Sequence, residues 1–252
     1  LGIDYLFKTF HPTLNSSLGI WPGRIREMLK YILYRKGPFG LSLNQSGGYV
    51  NWNSRNKYPN LQIYFNPITY SITHKNKRPL LKTDKFDGFI IGYNSCRPKS
   101  LDEVNLSSPN VEDKPVINPN FLSNDEDIYD VKCAINFSNT LAKTNSIKDI
   151  RVDNINNNLI DGSEEEMFEH FKENAVSIYH PCGTCRMDKD KSKGVVSERF
   201  KFHGLNNLWV LDASVFPNIT SGNINAPVMM LANIGSKIIM EDLKKQSKYE
   251  NN

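Results

Sequence analysis

Four cysteines in 252 residues are too few for a disulfide framework, and they favour no redox compartment. The chain also lacks any run of about 18 apolar residues, so no transmembrane segment is predicted. The nearest approach, APVMMLANIGSKIIM, is interrupted by Asn233, Ser236 and Lys237 and reads as a core helix. Charge of one sign is missing too: 31 basic and 27 acidic side chains leave a net +4 and a pI near 8.7. Runs such as LKTDK and DKDKSK mix both signs and read as solvated loops, so nucleic acid is not an expected partner. There is no internal repeat, no signal peptide and no initiating methionine. The chain opens at Leu1 inside what reads as a helical pattern, which leads us to expect a fragment or processed product. A location in the cytoplasm or peripheral to a membrane is expected.

What is present divides into distinct stretches. Residues 1–60 read as helices followed by an extended segment. In PGRIREMLKYILYRKGP, Pro22 sits near a helix start, Gly37-Pro38 marks its end, and Ile25, Met28, Leu29 and Ile32 recur at helical spacing. NLQIYFNPIT alternates Leu61, Ile63 and Phe65 on one side, and DGFIIGYNSC is rich in β-branched and aromatic residues; both read as strands. EVNLSS and the turn NPNFLSNDED make 101–122 strands and turns. Two capping boxes are predicted, Ser123 with Glu126 and Ser163 with Glu166, each opening a helix. The first carries Ile128, Val131, Ile135, Leu141 and Ala142 near one face, the second Met167, Phe168 and Phe171. Between them DNINNNLIDG reads as a loop. In the tail, NLWVLDASVFP suits a strand buried on both faces of a parallel sheet. The loop NITSGNINAP follows, and a helix is predicted from about Pro227 to Lys245. Strand, polar loop and helix start together present backbone N–H groups to an anion or an electron-rich ligand. A strand–helix unit with no ligand accounts for the same pattern.

The stretch SIYHPCGTCRM, residues 177–187, concentrates the reactive side chains. His180, Cys182 and Cys185 offer three ligands where a closed zinc site needs four, and Cys96, Cys133 and His203 stand singly. A redox Cys-x-x-Cys belongs at a helix start after a strand, whereas here the flanks are IYHP and RMDKD. A buried histidine with two buried thiols in a turn satisfies the local pattern equally well.

YHPCGTCRM resembles the histidine signature of the glucose–methanol–choline (GMC) oxidoreductases, flavin-dependent alcohol oxidases and dehydrogenases whose usual pattern is His-Pro-x-Gly-Thr-Cys-Arg-Met. The following GVVSERFKFHGLNNLWVLDASVFPNITSGNINAPVMMLANIGSKII is similar to that family's closing flavin-binding segment. GPFG, PNLQIYFNP, RPKSLDEVNLSSPN and INPNFLS resemble its substrate-domain landmarks. The resemblance covers most of residues 30–243. Asp188 stands where the family usually has glycine, Cys182 fills the variable position of the motif, and VVSERF replaces a usual Asp-Pro. The family's opening Gly-x-Gly-x-x-Gly turn, which holds the FAD pyrophosphate on a helix N-terminus, occurs nowhere in these 252 residues.

The resemblance implies a mixed α+β and α/β fold. A substrate-binding domain of antiparallel sheet and helices would span 1–170. A strand–loop–helix segment at 171–252 would complete a Rossmann-like FAD-binding domain whose N-terminal dinucleotide-binding half is absent. It implies a FAD-dependent oxidoreductase acting on CH–OH donors, choline dehydrogenase- or alcohol dehydrogenase-like, inactive without that half. The partners expected are a small-molecule alcohol and the N-terminal half, on the same gene or a separate chain. His180 would be the base for the hydroxyl proton. Asn225 would donate an amide N–H to the substrate oxygen. Asp212 and Ala213 would approach the FAD pyrophosphate and ribityl chain, and Asn223, Ile224, Asn225, Ala226 and Pro227 would lie beside the isoalloxazine. No metal site is expected. A non-catalytic remnant or binding module that kept the substrate domain is the alternative. Asp212 as a simple turn cap and Asn223 as a turn former also stay open.

Overall fold

A computed structural model of the protein describes residues 1–53, 55, 57–75, 78–154 and 162–250. The elements in chain order begin with β1 (Gly2–Thr9), α1 (Leu14–Leu18), α2 (Trp21–Tyr34) and a short 3-10 turn at Pro38–Gly40. β2 (Ser46–Val50), β3 (Leu61–Asn66), β4 (Tyr70–Lys75), β5 (Arg78–Thr83) and β6 (Gly88–Ser95) follow. Then come β7 (Glu103–Asn105), β8 (Val116–Asn118), α3 (Asp125–Ala142), α4 (Asn145–Lys148), β9 (Arg151–Asn154), α5 (Glu164–Asn174), a 3-10 turn at Ala213–Val215 and α6 (Asn225–Glu250). The architecture is α+β, in two compact units: residues 1–95 with 128–176, and residues 96–127 with 177–252.

The first unit is organised by a five-stranded antiparallel sheet in the order β2-β3-β6-β1-β9. β1 pairs with β6 from Gly2↔Asn94 to Lys8↔Gly88, which puts Ile3, Tyr5, Phe7, Phe89, Ile91 and Tyr93 on one face. All six are buried. Phe7 stacks on Phe89 at 5.1 Å between ring centres, and Tyr93 stacks on Phe171 of α5 at 6.2 Å. Burying such aromatic bodies against α5 and the apolar stripe Val131–Ala134–Ile135 of α3 supplies the main stabilisation of this unit.

On the opposite face β1, β6 and β3 align Asp4, Gly92 and Tyr64 in one row. The Tyr64 hydroxyl donates to Asp4 Oδ1 at 2.7 Å. Its ring lies across Gly92, where a Cβ would fall inside the ring and 2.5 Å from the same carboxylate oxygen. Burial pushes the Asp4 carboxyl above its ordinary value, and the Tyr64 bond opposes that push.

The helical pattern expected at the start is overturned: Leu1–Thr9 contains the strand β1. Alternation of Ile3, Tyr5 and Phe7, a period of two, outweighs local propensity once β6 and β9 flank it. α2 forms as expected, with Pro22 in its first turn and Arg35 closing it in the left-handed region at φ 54°. Ser163 and Glu166 form the reciprocal capping box, and Met167 and Phe171 are buried beneath it. The other predicted box shifts by one residue. Asn124 caps α3 by accepting from the Glu126 N–H, while Ser123 turns its own N–H to Ser100 Oγ. Asx residues bond a backbone two positions on more readily than serine does, which explains the shift. β7 and β8 pair as a small antiparallel ribbon. Of the predicted loop 153–162, residues 155–161 lie outside the described residues, and Asp153–Asn154 end β9.

Candidate functional site

The second unit has its own core. Val196, Phe200 and Val215 are fully enclosed, with Met187, Trp209, Leu211, Leu231 and Ile238 packed around them. The stretch 207–217 is not a buried strand. It runs extended through Leu208–Val210, where Phe202 N–H donates to Leu208 O and Val210 N–H to Phe200 O, and then winds into the 3-10 turn. Apolar character alone specifies burial, but a ladder needs flanking strands, and among the described residues none lies alongside. Two faces are instead covered partly by α6 and the 195–202 hairpin.

This core fixes the histidine loop. Cys185 N–H donates to Ser214 O at 3.0 Å and Met187 N–H to Val215 O at 2.9 Å, stitching the 183–187 strip alongside the 3-10 turn. Asp212 caps that turn, its Oδ1 accepting the Ser214 N–H at 2.7 Å. Asp212 is exposed and Ala213, the first residue of the turn, is half-buried. The turn-cap role is therefore real, and the outward side of Asp212 stays open to a ligand.

Beyond the turn the chain crosses Gly222, buried with φ 87°. Glycine is the residue that takes this conformation without cost, and it aims Asn223 back at the loop. Asn223 Nδ2 lies 2.7 Å from His180 Nε2. With the amide donating, Nε2 accepts through its lone pair and the ring proton sits on Nδ1. Arg97 Nη1 donates to Ser221 Oγ at 3.0 Å and steadies the same bend. His180 itself is half-buried. Tyr179, just before it, holds the left-handed region at φ 59° with its ring 83% exposed, a costly posture for a bulky residue.

α6 begins at Asn225, two residues earlier than the sequence predicts, and continues to Glu250. Pro227 is the third helical residue, where a missing N–H breaks no bond. The first turn carries no acid, and the positive end of the helix is uncompensated. Asn223, Asn225 and Ala226 are exposed around it, Ile224 is buried and Pro227 half-buried. The Thr220 hydroxyl just before is buried without a hydrogen-bond partner. At the other end Arg199 grips Asp242 by Nε at 3.0 and 2.9 Å and by Nη2 at 2.6 Å.

The residues expected from the sequence are thus gathered in one unit, with one rearrangement. His180 bonds Asn223, and no hydrogen bond joins it to Asn225 among the described residues. Three participants give no legible signal: the Asn223–His180 contact, the orphaned Thr220 hydroxyl and the strained Tyr179. Cys182 and Cys185 are free thiols. Burial, then the Asp102 charge, raises the Cys182 thiol above its ordinary value while Arg186 pulls the other way, so it is held as a thiol and not as the thiolate that metals and redox exchange need. Among the described residues no group of three or more His, Cys, Asp or Glu side chains could hold a metal ion.

The family model described as GMC oxidoreductase matches residues 98–232. The alcohol dehydrogenase [acceptor] of Pseudomonas putida is 33% identical over 223 residues, covering 87% of this chain and 38% of the relative. The oxygen-dependent choline dehydrogenase of Vibrio vulnificus is 30% identical over 231 residues, covering 90% of this chain and 40% of the relative. Among solved structures, a formate oxidase variant from Aspergillus oryzae, studied for FAD modification, superposes with a TM-score of 0.83 at 25% identity. That match covers 97% of this chain and 46% of that one. The chain spans about two fifths of the length of the curated relatives it matches. With the histidine loop, the capped turn and the helix start lying inside the matched region, this chain belongs to the GMC oxidoreductase family.

Proposed function

We propose that the chain forms the substrate side and the closing flavin-binding segment of a FAD-dependent oxidoreductase that converts a CH–OH group to a carbonyl. The reading assigns 1–170 to substrate binding and 171–252 to the flavin domain. It pairs the chain with a dinucleotide-binding half carrying the pyrophosphate turn, on the same polypeptide or a separate one. The relatives named for alcohol and choline oxidation support the reaction class. The observation that carries it is His180 Nε2 held 2.7 Å from an amide beside the bare start of α6.

The residues present fit a flavin. The helix start offers unpaired N–H donors with no competing acid, the exposed small side chain of Ala226 leaves room, and Thr220 holds a hydroxyl that lacks a partner. Asp212, Ala213 and residues Asn223–Pro227 would hold the cofactor. FAD, when bound, supplies the hydride acceptor. The protein supplies the rest. Asn223 occupies the lone pair of Nε2, and an incoming hydroxyl takes over that place by donating its own proton to it. His180 then accepts the proton as the hydride leaves. Asn225, whose side chain makes no hydrogen bond among the described residues, donates to the oxygen as charge grows there. An amide cannot take a proton at neutral pH, so the base role falls on His180 alone.

The test is anaerobic stopped-flow bleaching of the flavin in the enzyme assembled with its dinucleotide-binding half. His180→Ala should slow reduction about 10²–10⁴-fold, the usual span for a positioned base. Asn225→Ala should cost about 1.5–3 kcal/mol, the worth of a hydrogen bond to a charged oxygen. The two losses should not add, because both act on one oxygen. Reduction of the His180→Ala flavin at the wild-type rate would place the base elsewhere.

A further inference from the structure

α2 is mounted with its apolar side out. The residues it buries are Gly23 and Glu27, and Glu27 is paired with Arg26 at 3.0 Å and Lys30 at 3.7 Å. At 100° per residue those two lie opposite the stripe Trp21, Ile25, Met28, Leu29, Ile32 and Leu33. Every member of that stripe is exposed, Trp21 by 70%, Ile32 by 56% and Leu33 by 67%. Phe39, Leu41 and Leu43, in and after the 3-10 turn, are exposed as well. A soluble surface helix has the reverse polarity.

Charge identifies the occupant. Residues 20–43 hold five basic side chains, Arg24, Arg26, Lys30, Arg35 and Lys36, against the single acid Glu27, which is buried. That local net of +4 equals the formal charge of the whole chain. Around the helix, Arg24 borders the stripe on one side and Arg26 and Lys30 on the other, with Arg35 and Lys36 at its C-terminal end. Trp21 at one end and Tyr34 at the other are both exposed, amphipathic rings suited to a headgroup boundary. Among the described residues no helix is long and apolar enough to cross a membrane, and 14 residues rising about 1.5 Å each reach only about 21 Å. We propose that α2 lies in the plane of an anionic phospholipid surface, its apolar stripe in the acyl boundary and its flanking cations on the headgroups.

The experiment is flotation of the protein, as its gene encodes it, with phosphatidylcholine vesicles containing or lacking phosphatidylglycerol. Binding should need phosphatidylglycerol, weaken with salt, and place Trp21 within reach of quenching by brominated acyl chains. Ile25→Gln/Met28→Gln/Ile32→Gln should lower partitioning about tenfold or more with an unchanged circular-dichroism melt. Should that triple variant fold poorly, Trp21→Phe serves instead: the brominated-lipid quenching should disappear while flotation persists. No flotation, flotation indifferent to the triple substitution, or quenching that survives Trp21→Phe would overturn the proposal. A concentration-dependent dimer abolished by the triple variant would assign the face to a second copy. Slow hydrogen exchange across α2 without lipid would assign it to another part of the protein. Either result overturns it.

Discussion

Gly92→Ala should damage the first unit well beyond its single added carbon. The new Cβ would fall inside the Tyr64 ring and against Asp4 Oδ1, so the ring must leave the sheet face. Its departure breaks the 2.7 Å bond to the Asp4 carboxylate, a loss of about 1.5–3 kcal/mol for a charged acceptor. Alanine recovers about 0.5–1 kcal/mol of backbone entropy, and the half-buried ring surrenders packing of about the same size. The net is about 1.5–3 kcal/mol, or about 3–12 °C in melting temperature for a unit of this size. Thermal melting gives the magnitude, and hydrogen exchange at β1 and β6 amides shows where the loss falls. Tyr64→Phe, which removes only the bond, should cost about 1.5–3 kcal/mol. In a cycle with Tyr64→Ala, the two substitutions should couple by at least about 1 kcal/mol, because each removes the other's conflict. Wild-type melting of Gly92→Ala, or simple additivity in the cycle, would refute the account.

Other outcomes follow from the same structure. Asp4 has a raised folded-state value, so its contribution is full below 3.8, the unfolded value, and is lost as pH rises through the folded one; Asp4→Asn should stabilise the unit near neutrality and flatten the fall of its melting temperature as pH rises above 3.8. Asp242 is held low by Arg199, so its contribution is present above the unfolded value and lost as pH falls through the folded one. Arg199→Leu should remove that acid-side loss, read by melting at a series of acid pH values. Cys182→Val should leave melting within about 1 kcal/mol of wild type and metal content unchanged. Stoichiometric zinc lost in the variant would revive Cys182 as a ligand.

Legibility tracks the range of the interactions. The Ser163–Glu166 box and the Leu61–Asn66 strand are set by residues a few positions apart, and the sequence displays them. β1 is hard to read because its partners are remote: Tyr5 faces Ile91, and Phe7 faces both Phe89 and Asn154. The 207–217 run looks like a strand because hydrophobicity reports burial without reporting neighbours. α2 shows the same gap from the other side. Its period and ends are plain, but which face turns inward is decided by what Gly23 and Glu27 pack against. At the site, the motif picks out His180, Asp212 and the Asn223–Pro227 bend. It does not show that Asn223, and not Asn225, takes Nε2, because that depends on the left-handed turn at Gly222.

The stitch between the histidine loop and the 3-10 turn has a practical use. Met187 is fastened to Val215, Asp188 to Val196 and Val195 to Arg186, so the excursion from 188 to 196 leaves and returns through closed gates. Its tip, Lys189–Lys193, is wholly exposed, and its own bonds run among Asp188, Asp190, Ser192, Lys193 and Gly194. Extra chain spliced there lengthens a loop whose ends are already held together, which costs only about 0.6 kcal/mol per doubling. The tip is therefore a port for a peptide tag, a fluorophore or a whole guest domain, a labelled handle that leaves His180 where it stands.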